Sequence, residues 1–359
     1  MTDTLDPKQV RPRTFDGSKT DGLSAWLSRT LGGVVAIRAA SILSGGAVQE
    51  NWRLDVTVDG GPHTGAHAWV MRTDAAQRLA VSLDREAEFA VLVAAHTAGV
   101  LVAAPIARCT DASVIGRPFL IQAFVEGQAQ ARQIVRHPEL ASFGERLTAD
   151  LGQALATIHA VTPMDGRLSV LPIPMQSPAK VLVASLKAAL AGASQQRPAL
   201  EYCLAWLDTH APATSRITLV HGDYRTGNYM LNGTKLSAIL DWEFAHWGDP
   251  LEDIGWFCAR CWRFGNDEPT QEAGGIGSRR TFYDAYQKAG GEKINEQSIA
   301  YWEVMAAAKW AVIAILQGDR FLTGGETAIE LALTGLMAPE MEFDALDGIA
   351  AIEAVRAKS

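Results

Sequence analysis

One stretch limits the possible architectures more than any other. It is His221-Gly222-Asp223-Tyr224-Arg225-Thr226-Gly227-Asn228, followed after a short interval by Leu240-Asp241-Trp242-Glu243. The apolar, β-branched run Ile217-Thr218-Leu219-Val220 predicts a short buried strand ending at His221. Met230-Leu231, the pair Asn232-Gly233 and Leu236 to Leu240 predict a hairpin, because Asn-Gly suits a type I′ turn. The two hairpin strands carry Asn228 and Asp241 back towards each other, with Asp223 on the loop before them. A lone Asp or Asn in a loop is ordinarily a turn former or cap. Three such residues at this combined spacing are poorly explained that way.

An acid, an amide and a second acid in this order are what phosphoryl transfer from a metal-bound nucleotide requires. Such a reaction asks the protein for positioning and charge neutralisation rather than covalent chemistry. Asp223 can accept the proton of an attacking hydroxyl. Asn228, five residues on, and Asp241, thirteen further, can offer the oxygen ligands that hard divalent ions prefer. There is no Gly-x-x-x-x-Gly-Lys-Ser/Thr in the chain, which argues against a P-loop enzyme.

HGDYRTGN followed by LDWEFAHWGDP resembles the aminoglycoside phosphotransferase and choline kinase-like family, distant relatives of protein kinases. The kinase catalytic loop has the same Asp-x-x-x-x-Asn spacing, and Asp241-Trp242-Glu243 stands where kinases carry Asp-Phe-Gly. The resemblance covers roughly residues 30 to 345. It implies an α+β, protein-kinase-like two-lobed fold, with an antiparallel-sheet N-lobe and a mostly helical C-lobe. It further implies ATP or GTP as donor with Mg2+, Asp223 as catalytic base, and Asn228 and Asp241 as metal ligands. Arg225, where protein kinases place a Lys, would neutralise the moving phosphoryl group, and His221 would organise backbone near Asp241. A catalytically silent nucleotide-binding pseudokinase is the competing reading, against which the intact Asp223, Asn228 and Asp241 speak.

Length and composition agree. At 359 residues the chain exceeds the size of a single ordinary core, so two domains are expected. The expected division is a flexible arm over 1–20, an N-lobe over 21–125 and a C-lobe over 126–359. The longest apolar run, around Ala306 to Leu316, contains Lys309 and reads as a core helix, so no membrane partner is expected. A net charge of −8 argues against nucleic-acid binding. The opening residues lack an apolar segment and the four cysteines fit reduced thiols, which together point to a cytoplasmic protein. Cys258-Ala259-Arg260-Cys261 lacks the further ligands that a structural zinc needs, and reads as buried thiols.

The first half reads as β-rich. Val34 to Leu43 and Glu50 to Thr57 are strand candidates joined by Ser44-Gly45-Gly46-Ala47. Adjacent glycines allow backbone amides to approach phosphate, and LSGGAVQENW resembles the family's nucleotide-covering loop. Ala68 to Arg72 is the next strand. Arg72 stands where kinases have a phosphate-binding Lys, a departure that keeps charge and adds a bidentate fork. Its expected partner is Glu88 in a helix over roughly Leu83 to His96, with Glu86 as the rival. Pro118 to Val125 predicts a strand closed by Glu126-Gly127, similar to the family's hinge, with backbone near Gln122 and Phe124 meeting the purine.

Leu147, Leu151, Leu155 and Ile158 form one helical stripe ending near His159, which reads as a core histidine. The acceptor is expected to be a small molecule bearing a hydroxyl. Asp267, Glu268 and Glu272 are modest support for an aminoglycoside. LSGGAVQENW, Arg72 and the aromatic helix at Tyr301-Trp302 resemble instead the branch fused to acyl-CoA dehydrogenases, which implies a hydroxyacyl-CoA or comparable metabolite. Such an acceptor would lie against Trp262, Tyr301 and Trp302.

Overall fold

The computed structural model describes residues 17–43, 49–74, 82–214, 216–266, 268–323 and 328–358. Two compact units emerge, residues 1–96 with 103–125, and residues 97–102 with 126–359.

The first unit runs α1 (Gly17–Leu31), β1 (Val34–Ile42), β2 (Gln49–Asp59), β3 (Gly65–Asp74), α2 (Arg85–Thr97), β4 (Pro105–Cys109) and β5 (Phe119–Ala123). Its strands form one antiparallel sheet in the order β1-β2-β3-β5-β4. Strand β2 alternates as a half-buried strand should: Trp52, Leu54, Val56 and Val58 are buried, while Arg53, Asp55 and Thr57 between them are not. Leu23, Leu27 and Leu31 of α1 pack onto that buried face, and Trp26 meets Phe119 edge-on at 5.1 Å. Helix α1 is a departure from expectation, which placed one helix in this unit and an arm over 1–20. Residues 1–16 lie outside the described residues, and the helix already starts at Gly17. Ser44, Gly45 and Gly46 also lie outside the described residues.

The second unit is mostly helical, as predicted. It contains α3 (Ala131–Val135), α4 (Leu140–His159), α5 (Pro178–Ala191), α6 (Pro198–Thr209), β6 (Thr218–Val220), β7 (Tyr229–Asn232) and β8 (Lys235–Ile239). Then come β9 (His246–Gly248), α7 (Leu251–Cys258), α8 (Arg279–Lys288), α9 (Glu296–Leu322), α10 (Ile329–Gly335) and α11 (Ala338–Arg356). The stripe Leu147, Leu151, Leu155 and Ile158 of α4 is buried. Helix α9 starts under an Asn295 cap and is the one described helix long and apolar enough to span a bilayer. Two-thirds of its apolar window (67%) is buried inside the unit, so its apolar surface is spent on the core. Helices α7 and α9 approach closely at Gly255, where a Cβ would come within 2.5 Å of the Trp302 side chain.

Candidate active site

Strand β6 delivers the catalytic-loop candidates and β9 holds it in place, with Leu219 opposite Trp247 and Val220 opposite His246. The chain then turns at Gly222, whose φ of 79° belongs to the left-handed region and whose absent Cβ would clash with the Phe244 carbonyl. The Asn232-Gly233 hairpin closes β7 onto β8, with Tyr229 opposite Ile239. This register lets Leu240 N–H donate to the Asn228 carbonyl at 2.8 Å, which ties the two metal-ligand candidates together through their backbones.

Asp223 is held at both carboxylate oxygens. Its Oδ1 accepts from Arg225 Nε at 3.0 Å and from Trp256 Nε1 at 2.8 Å, and its Oδ2 accepts from Asn228 Nδ2 at 2.6 Å. The same Asn228 amide nitrogen donates to the Asp223 carbonyl at 2.9 Å. Two acceptors on one side settle the amide orientation, so Oδ1 is the atom Asn228 has for a cation. Asp241 adopts φ 57° and ψ 65°, one of two non-glycine residues at positive φ among the described residues. That conformation costs an L-residue on the order of 1 kcal/mol, and such strain concentrates where side-chain direction matters. An amide oxygen and a carboxylate on neighbouring strand ends fit Mg2+, which takes one or two protein oxygens and completes its shell with phosphate and water.

Behind the loop stands a buried polar frame. Asp253 accepts from the N–H groups of His221 (2.7 Å) and Gly222 (2.9 Å) and contacts His159 Nε2 at 3.2 Å. His159 also meets Tyr286 Oη at 2.9 Å, as befits the satisfied core histidine expected there. The His221 ring accepts at Nδ1 from Asp223 N–H (3.3 Å), so its Nε2–H donates to the Leu240 carbonyl at 2.8 Å. Burial pushes this imidazole below its usual range, outweighing Asp253, Asp223 and Asp241, so it is a neutral organiser. Three residues that sequence reasoning passed over also belong here. Trp256 holds Asp223, and Lys309 Nζ reaches the Gly222 carbonyl at 3.0 Å and Glu252 Oε1 at 3.1 Å. The one available signal was Lys309 itself, a charge inside an apolar helix.

In the first unit, Arg72 on β3 and Glu88 on α2 come together at 3.4 Å, both buried. Arg85 also binds Glu88, and the rival Glu86 pairs instead with Arg108. Gln122 is buried in β5. The hinge reading is narrowed: Ala123 N–H donates to Ala104 O and Phe124 N–H to Ala68 O, so both donors are committed to the sheet. Arg53 stacks over the Phe124 ring at 4.5 Å.

The acceptor expectations are matched only in part. Trp262, Tyr301 and Trp302 are all buried: Trp302 packs against Gly255 and Tyr301 donates to the Leu207 carbonyl. Of the three, Tyr301 lines a cavity between α9 and α11. Asp267 lies outside the described residues, Glu268 is exposed, and Glu272 faces Arg279 at 3.6 Å. The stretch after Trp262 is partly a packed element, since Ala273 to Gly277 are buried and Thr226 Oγ1 donates to the Gly274 carbonyl at 2.7 Å. That cavity of the second unit, of about 570 Å³, is lined by Val304, Ala307, Ile352 and Val355, with three arginines (Arg260, Arg263, Arg356) and four carboxylates (Glu296, Glu303, Asp344, Asp347) at its polar parts. Cys261 lies on its wall, and burial pushes its thiol well up from the usual range. Among the described residues no group of three or more His, Cys, Asp or Glu could hold a metal, and Cys258 and Cys261 are free thiols.

Residues 40–303 match the model of the phosphotransferase enzyme family, and the chain belongs to that family. Acyl-CoA dehydrogenase family member 10 of Mus musculus is 32% identical over 186 residues, which are 48% of this chain and 16% of that protein. The chain thus spans about a sixth of that relative. A solved protein from Ralstonia eutropha, provisionally named an aminoglycoside phosphotransferase, superposes with a TM-score of 0.71 at 21% identity. The match covers 92% of this chain and 97% of that one. Spectinomycin phosphotransferase, solved with ADP and spectinomycin, follows with a TM-score of 0.57 at 14% identity, covering 91% and 98%. These likenesses establish the protein-kinase-like fold.

Proposed function

We propose that this chain is an ATP- or GTP-dependent kinase that phosphorylates a hydroxyl of a small metabolite. The observation that carries the reading is the Asp223–Asn228 pair pinned on the loop, with Asp241 held at positive φ where the hairpin ends. Asp223 takes the proton of the acceptor hydroxyl, its carboxylate steered by Asn228 and Arg225. Asn228 Oδ1 and Asp241 would hold Mg2+, which when bound neutralises charge on the transferred phosphate. Arg225 adds a cation beside the reacting oxygen, and Arg72, oriented by Glu88, meets the nucleotide phosphates. Expected nucleotide contacts at Ser44, Gly45 and Gly46 remain part of this reading, as do carbonyl groups around Gln122.

For the acceptor, a hydroxylated acyl-CoA or comparable largely apolar metabolite is favoured. The apolar cavity wall between α9 and α11 supports it, as does the acyl-CoA dehydrogenase name of the mouse relative. An aminoglycoside, with several ammonium groups, would want several available carboxylates, and Glu272 is engaged with Arg279. Of the four on the cavity wall Glu303 faces Arg279 and Asp344 faces Arg260, which leaves Glu296 and Asp347 as the carboxylates it would have to use. A pseudokinase is disfavoured because the base and both metal-ligand candidates are present. The test is to compare two variants by ADP release and by Mg2+-dependent nucleotide binding. Asp241→Ala should abolish the binding, whereas Asp223→Asn should keep it and lose turnover. Near wild-type turnover in Asp223→Asn would defeat the assignment of the base.

A further inference from the structure

We infer that Trp256 and Lys309 are positioning residues of the phosphotransfer reaction, a clamp that fixes the Asp223 carboxylate from the side opposite Asn228. The inference rests on Asp223 being the base. Both carboxylate oxygens are held, while part of the side chain stays exposed to an incoming hydroxyl. Trp256 Nε1 donates to Asp223 Oδ1 at 2.8 Å, alongside Arg225 Nε, while Asn228 holds Oδ2. The two oxygens are therefore fixed from different elements: the loop itself supplies Arg225 and Asn228, and α7 supplies Trp256.

The indole in turn has little freedom to move. It is buried, with the Trp262 ring 5.1 Å away on one side and Lys309 Nζ 4.7 Å from its centroid. Arg225 lies over the same Trp262 ring at 4.5 Å, so the two donors to Asp223 Oδ1 are braced by one tryptophan. Lys309 closes the circuit, because its Nζ also donates to the carbonyl of Gly222, the peptide that joins Gly222 to Asp223. One ammonium thus holds both the backbone carrying the base and the ring that orients its carboxylate.

Stability alone does not account for a lysine here. Lys309 lies two helical turns from Trp302 on the α9 surface that faces α7, and its neighbours Met305, Ala306 and Val312 are buried. A buried ion pair is typically no more stabilising than apolar residues of the same shape. Lys309 is matched by Glu252, itself matched by His246 at 3.2 Å, so three ionisable groups are invested behind one loop. What an apolar side chain at 309 could not supply is the contact with the Gly222 carbonyl. Displacing a reacting group by about 1 Å can cost on the order of 100-fold in rate, so a clamp on the base acts on turnover more than on nucleotide affinity.

The experiment uses the full chain with Mg·ATP and no added acceptor, reading ADP release to water, together with binding of a fluorescent ADP analogue. Trp256→Phe keeps an aromatic side chain, though a smaller one, and removes the N–H. It should lower kcat about 10- to 100-fold while KM for Mg·ATP and the analogue's affinity stay within about twofold. Lys309→Met should do the same, and Lys309→Arg should recover a substantial part of the loss because it can still donate to the Gly222 carbonyl. Asp223→Asn separates the two levels of argument. If it abolishes ADP release and Trp256→Phe retains kcat within twofold, the clamp is wrong and the base stands. If Asp223→Asn itself retains ADP release, the base assignment fails and the clamp falls with it. Losses in both Trp256→Phe and Lys309→Met that track a lowered Tm and a raised KM would also overturn the inference, since they describe mere structural support.

Discussion

Arg72 shows how one residue can be tested apart from the fold that holds it. It is buried beside Glu88, and removing it would ordinarily strand a buried carboxylate. Arg85 binds the same carboxylate, so Glu88 keeps a cation in Arg72→Ala and the loss of stability is moderated. Nucleotide affinity has no such substitute if Arg72 meets the phosphates. Arg72→Ala should then weaken ATP about 10-fold or more, as charged hydrogen bonds of roughly 1.5–3 kcal/mol imply. Arg72→Lys should recover part of this, since charge returns without the fork, and Arg29→Ala on the exposed surface of α1 should change nothing. Equal ATP affinity in wild type and Arg72→Ala, measured by calorimetry, would move the phosphate contact elsewhere. That one of Glu88 and Glu86 pairs with Arg72 was legible, because only one of two acids two apart on a helix can face the sheet. Which one does was not: the structure puts Glu88 there and Glu86 on Arg108. Trp256 was not legible, since nothing in a helical tryptophan declares that its N–H meets a carboxylate 33 residues back.

At the scale of elements, the corner where β9 meets α7 holds three ionisable groups that tie stability to pH. Burial opposes ionisation of Glu252, but Lys309 and His246 outweigh it and hold the carboxyl down at about 2. A depressed acid contributes stability above its unfolded value near 4.5 that is lost as pH falls towards 2. Burial likewise opposes protonation of His246, but Glu252 prevails and raises its pKa. That contribution is present below about 6.5 and is lost as pH rises through the raised value. Asp249 has the opposite sign for an acid: burial lifts it to about 6, so the folded state loses ground as pH climbs from about 4 to 6. Thermal melts from pH 3 to 8 should therefore show wild type losing Tm steeply below 4.5. Glu252→Gln should start lower and lie flatter over that acid range. A parallel acid limb in the variant would remove Glu252 from the account. Of this corner the chain declares the turn and helix start at Gly248-Asp249-Pro250 and the acid Asp253 behind them, but neither the strand nor the ion pairs. Strand β9 is three residues long and has no alternation to detect, and its existence follows from its register with β6. By contrast, the Leu23, Leu27 and Leu31 spacing of α1 was present in the sequence and went unread, whereas the hairpin declared itself through Asn232-Gly233.

For the whole molecule, the open question is the acceptor, and charge decides how it can be asked. A chain of net charge −8 attracts polycations in general, so weak binding of an aminoglycoside at low salt would say little. Turnover is the sharper readout, and its salt dependence separates the two chemistries. A polycation held by carboxylates must lose affinity steeply between about 0.05 and 0.5 M salt, as the screening length shrinks from well over the size of an ion pair towards it. An acceptor whose acyl part is buried along Val304, Ala307, Ile352 and Val355 draws its affinity from apolar area, which salt does not screen. The expected outcome is no turnover of kanamycin-like compounds, and ADP release with a hydroxylated acyl-CoA that changes little with salt. Val304→Asp should then raise KM for that acceptor with little effect on KM for ATP, because the new carboxylate spoils the cavity wall and leaves the catalytic loop alone. Efficient, salt-sensitive phosphorylation of an aminoglycoside, lost when Asp267, Glu268 and Glu272 are neutralised together, would reverse the choice of acceptor and leave the kinase chemistry standing.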